Sequence, residues 1–188
     1  MTKPPLLFVL AILSGTSADA SVSVIGQGYA RGCFEAAEGR QPTREALKSC
    51  DRALGESALS ADDRVATIIN RGIVRMQARD LPAAIADFDE AIRARPDAAE
   101  AYVNKGIALI RLGDRDTEAV FSLSEGIARN PLRPEIAFYN RAVAYEGLGR
   151  NREAYEDYSR AAQLAPEWPE PATQLQRFQT VKRKTAGV

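Results

Sequence analysis

The sequence predicts an all-α chain of stacked antiparallel helix hairpins. Three observations predict it. Pro96, Pro131 and Pro166 recur 35 residues apart. Small residues recur in matched sets: Gly72, Gly106 and Ala142; Ala84, Ala119 and Ala154; Ala91, Gly126 and Ala161. Between the second and third sets stands a large residue: Phe88, Leu123 and Tyr158. A hairpin of this length cannot bury its apolar face alone, so such units come in arrays.

Each period divides into two amphipathic helices. Helix A is expected over 64–78, 98–112 and 134–148, and helix B over 81–94, 117–129 and 151–164. Ser60 with Asp63 has the spacing of a capping box before the first A helix. Pro82 suits a first helical turn, where a missing N–H costs nothing. The three periodic prolines stop the B helices. Gly113 and Gly149 are placed to end two A helices in a left-handed cap. Helices approach closely only where side chains are small, so Gly72 is expected against Phe88 and Ala142 against Tyr158.

The two ends differ from the array. Lys3, the apolar run Leu6 to Leu13 and the closing Ala18-Asp19-Ala20 have the form of a secretory signal cut after Ala20. Eight apolar residues rise about 12 Å as a helix, against a bilayer core of roughly 30 Å. Residues 1–20 are therefore expected to be removed, leaving a periplasmic or secreted chain without a stable membrane anchor. Residues 21–62 read as a degenerate N-terminal capping hairpin, in which Ala46, Cys50 and Ala53 reproduce the helix B spacing. The repeats occupy 65–97, 98–133 and 134–167. Residues 168–188 form a capping helix, with Leu175, Phe178 and Val181 at helical spacing, and a solvated basic tail at Lys182-Arg183-Lys184.

Composition excludes several chemistries. The 188 residues carry 25 basic and 25 acidic side chains and no histidine. A zero balance gives no reason to expect nucleic acid. Without histidine there is no Ser-His-Asp or Cys-His apparatus and no His-ligated metal. Two cysteines cannot build a four-thiolate zinc site or an iron–sulfur cluster. Gly26-Gln27-Gly28 is too short for a phosphate loop, and the carboxylates at Asp62-Asp63 and Asp87, Asp89 and Glu90 fall on caps and charged faces. No enzyme, cofactor or metal is expected. Cys33 and Cys50 face each other across a hairpin turning near 39–43, which in an oxidising compartment joins them. Two buried free thiols are the alternative.

The quoted pattern resembles the tetratricopeptide repeat family. The matching positions are Ile68, Tyr102 and Phe138, the small residue four on, and the later small-large-small-proline series. Arg71, Lys105 and Arg141 replace the family's leucine, and Leu123 stands where an aromatic is usual. The resemblance implies a right-handed solenoid whose A helices line a concave groove. It also implies a non-catalytic scaffold that takes a protein or peptide partner. On the A helices, Asn70, Asn104 and Asn140 share one slot. A side-chain amide can pair with a backbone N–H and C=O together, so the three resemble the asparagine ladders of some such grooves. Ile69, Ile73, Val103, Ile107, Tyr139 and Val143 would flank it. A structural role for the asparagines is the alternative. The family's carboxylate clamp is not matched: Ile73 and Ile136 stand where it uses Asn and Lys. Arg71 with Asp87 and Arg141 with Asp157 are expected as intra-repeat ion pairs, worth roughly 0–1 kcal/mol each if exposed. The chain is expected as a monomer or weak homodimer, with a structural self-associating module as the second reading.

Overall fold

The computed structural model describes residues 20–22, 28–40, 42–56 and 59–185, with side chains through Phe178. The leader before Ala20 and the side chains of Val181 and of the basic tail lie outside what is described. Within them the chain is helical: α1 Tyr29–Glu38, α2 Arg44–Gly55, α3 Ala61–Gln77, α4 Leu81–Ala94, α5 Ala99–Leu112, α6 Asp116–Ala128, α7 Pro134–Gly147, α8 Asn151–Leu164 and α9 Pro169–Thr185. Consecutive helices pair as hairpins α1/α2, α3/α4, α5/α6 and α7/α8, and α9 packs on α8.

Local chemistry sets the boundaries. Ser60 Oγ accepts the Asp63 N–H at 3.0 Å and its hydroxyl donates to Asp63 Oδ2 at 2.7 Å. That cap starts α3 three residues before the expected boundary. Asp80 accepts the Ala83 N–H at 3.3 Å and Pro82 sits in the first turn of α4. Each B helix ends two or three residues before its proline. The hairpin turns need a positive φ. Gly113 (φ +86°) and Gly149 (φ +71°) supply it in two repeats, whereas Arg79 (φ +65°) and Arg40 (φ +52°) supply it in the others.

Packing follows the small-into-large rule. A Cβ built on Gly72 would lie 2.5 Å from Phe88 Cε1, and one on Gly106 would lie 2.5 Å from Leu123 Cγ. Phe88 and Leu123 are fully buried in one core that runs from α1 into α7. Ala142 and Tyr158 join a separate cluster with Ala154. The Tyr158 hydroxyl donates to Glu146 Oε2 at 2.7 Å, and burial pushes its ionisation far above the ordinary phenol range.

The first hairpin lacks that interlock. A Cβ on Gly32 would meet Ser49 only at 3.7 Å. Cys50 occupies the slot held elsewhere by a large side chain, and it is bonded to Cys33 with Cα atoms 4.7 Å apart. The covalent link replaces the missing side-chain volume.

Two measurements check this account. Gly72→Ala should destabilise by about 1–2 kcal/mol in urea unfolding, because overpacking against Phe88 outweighs the gain in helix propensity. Gly55→Ala, which would meet nothing within 4 Å, should not. Reducing Cys33–Cys50 should lower stability by about 3 kcal/mol, the value for a loop of this size.

Candidate functional site

The A helices α3, α5 and α7 stack side by side, which brings the shared asparagine slot into a row. Asn70 and Asn104 are fully buried, and Asn140 is partly exposed. What covers the first two is the chain itself. Asn70 Nδ2 donates to the Val22 carbonyl at 2.7 Å, and Asn70 Oδ1 accepts the Val22 N–H at 3.0 Å. Asn104 Nδ2 donates to the Ala20 carbonyl at 2.8 Å, and Asn104 Oδ1 accepts the Ala20 N–H at 3.3 Å. Each amide thus engages both backbone groups of one residue. Asn140 turns inward instead, donating from Nδ2 to the Ile136 carbonyl of its own helix at 2.8 Å. Asn104 shares that habit, with a second bond to the Glu100 carbonyl at 3.0 Å.

The expected flanking residues divide. Ile69 lies beside Val22 in an open hollow of about 280 Å³, together with Val65 and Ala66. Ile73, Val103 and Ile107 are buried in the main core. Tyr139 and Val143 pack at the C-terminal end. The Tyr139 ring lies 4.8 Å from Trp168 and 5.3 Å from Tyr158, and burial raises its hydroxyl's pKa. Segment 20–22 was missed as a site element because it adjoins the leader. The alternation Ser21-Val22-Ser23-Val24 was the available signal, since period-2 patterning marks extended chain.

The expected arginine–aspartate pairs form, and their carboxylates are buried, so the value for exposed pairs does not apply. Asp87 is 2 % exposed and receives Arg71 at 2.7 Å and Arg75 at 2.7 Å. Burial pushes the Asp87 carboxyl above its usual range, against the pull of both guanidiniums. Arg141 grips Asp157 with two bonds, Nε–Oδ2 at 2.7 Å and Nη2–Oδ1 at 2.9 Å. In the middle repeat, Ser122 donates to the Tyr102 carbonyl at 2.8 Å, and Lys105 reaches back to Asp89 at 2.6 Å. The acidic clusters are engaged in such contacts: Asp62 pairs with Arg95, Glu90 with Arg71, and the Asp63 carboxylate accepts the Ser60 hydroxyl. Among the described residues no group of acidic or thiol side chains could hold a metal ion, and no helix is long and apolar enough to cross a membrane.

Replacing Arg141 by Met should therefore cost about 3–5 kcal/mol, the penalty for a buried carboxylate stripped of its partner. Lys105→Met, at a half-exposed pair, should cost at most about 1 kcal/mol. Thermal unfolding of the two variants side by side checks the contrast.

Models of the tetratricopeptide repeat match residues 69–121 and 136–168. Tetratricopeptide repeat protein 36 of Danio rerio is 34 % identical over 103 residues, covering 52 % of this chain and 54 % of that one. The chain thus spans about half the length of that relative. Among solved structures, MamA from residue 41 to its end, from Desulfovibrio magneticus RS-1, superposes with a TM-score of 0.66 at 22 % identity, over 83 % of this chain and 84 % of that one. The first such domain of Spaghetti (RPAP3), bound to the HSP90 peptide SRMEEVD, gives 0.59 at 21 % identity, over 63 % of this chain and 95 % of that one. Residues 69–121 and 136–168 thus match models of the tetratricopeptide repeat, and the chain shares the helix-hairpin solenoid fold of MamA.

Proposed function

We propose that this chain is a non-catalytic scaffold of the bacterial cell envelope that holds an extended segment of a protein partner in its concave groove. The observation that carries the reading is the two-sided pairing of Asn70 and Asn104 with a stretch of extended backbone. Those amides read main chain and leave side chains to the walls, which is how an extended segment gains affinity without a fixed sequence. The peptide-bound Spaghetti domain shows that the same fold can take a peptide. Its acidic type of ligand is disfavoured here, because Ile73 and Ile136 stand fully buried at two of the clamp's positions. Export rests on the leader pattern and the oxidised Cys33–Cys50 pair, which agrees with an oxidising compartment. Self-association is the second reading, favoured by Phe121 and Leu132, which stand 67 % and 77 % exposed.

Selection of a displayed random-peptide library on the chain and on its N70A/N104A/N140A variant tests the groove. Enrichment of extended peptides by the native chain, lost in a variant of unchanged helical content, is expected. Equal enrichment by both would place binding elsewhere. Light scattering across a concentration series should show a monomer; a dimer abolished by Leu132→Ser would favour self-association.

A further inference from the structure

We propose that residues 20–22 are a built-in ligand: a strap that occupies the asparagine pair until an extended segment of like chemistry displaces it. This rests on the groove reading above and assigns its resident occupant. In an extended chain the N–H and C=O of one residue point to the same edge, and those of the next point to the opposite edge. Residues i and i+2 therefore present matching backbone pairs about 7 Å apart. Ala20 and Val22 stand in that relation, and Asn104 and Asn70 meet them as a neighbouring strand would. The strap runs from α5 toward α3, opposite to the order of the repeats.

The side chains define the class of segment that competes. Ala20 is 4 % exposed, so its place admits only a small residue. Ser21 is more accessible. Val22 packs against the main core and beside Ile69, so its place favours a β-branched apolar residue. The competitor is thus an extended segment of the pattern small-any-β-branched. Five residues separate Val22 from Gly28. The strap is covalently joined to the groove it occupies, so it competes intramolecularly with any external ligand. A cut after Ala20 would remove the Asn104 pair and retain Val22 on Asn70, opening half of the site.

The test uses the whole chain and a fluorescein-labelled peptide of residues 18–24, Ala-Asp-Ala-Ser-Val-Ser-Val, read by anisotropy. Val22→Pro deletes the N–H that Asn70 accepts and leaves every groove side chain unsubstituted. Val22→Ala keeps that N–H and removes only side-chain packing. The proposal expects V22P to bind the peptide at least 10-fold tighter than the native chain and tighter than V22A. It expects V22P/N70A to lose that gain, at unchanged helical circular dichroism. Equal, measurable binding by native and V22P chains would overturn the strap while leaving the groove reading standing. Binding by neither would overturn this inference; if library peptides still bound, the groove reading would survive it. A gain kept in V22P/N70A would place the peptide off the asparagines and overturn both.

Discussion

Close approach of helix A to helix B depends on one small residue facing one large one. Gly72 admits Phe88 and Gly106 admits Leu123 with no room for a Cβ between them. Ala142 and Tyr158 pack together at the fourth hairpin. Because the interlock recurs at the same position of each repeat, successive A helices stack with equivalent residues side by side. That alignment places Asn70 and Asn104 where one extended chain can reach both. The ladder is a consequence of packing two residues away.

The ends show what the array needs when the interlock fails. The first hairpin has Cys50 where a large side chain belongs, and a covalent bond to Cys33 takes over. At the other end, Tyr158 is sealed by Phe178 of α9 and by Tyr139, with ring centroids 6.1 Å and 5.3 Å away. Trp168 closes the same cluster through Tyr139. The buried pairs Arg71–Asp87 and Arg141–Asp157 each tie the A helix of a hairpin to its B helix.

Much of the fold was legible because its signals are local and repeated. Prolines, small residues and one large residue per hairpin set boundaries to within three residues. The exposure of Asp87 was not legible, since burial of a carboxylate depends on how α2, α3 and α4 close around it. Nor was the left-handed conformation of Arg40 and Arg79, where no glycine marks the turn. The slot of the three asparagines could be read from the repeat, but its occupant could not. Residues 20–22 belong to no repeat, and their pairing with Asn70 and Asn104 spans 48 and 84 positions of sequence. Asn140 donates to the Ile136 carbonyl of its own helix, as Asn104 does to Glu100.

The central claim is that the asparagine slot recognises extended backbone, and its own chain offers the first case. The most direct measurement is the nuclear magnetic resonance coupling across the hydrogen bond from Asn70 Nδ2 to the Val22 carbonyl, with the exchange rate of the Val22 amide. The account predicts a detectable coupling and an amide that exchanges far more slowly than one in an unstructured chain. No coupling, with Val22 exchanging at the unstructured rate, would contradict it.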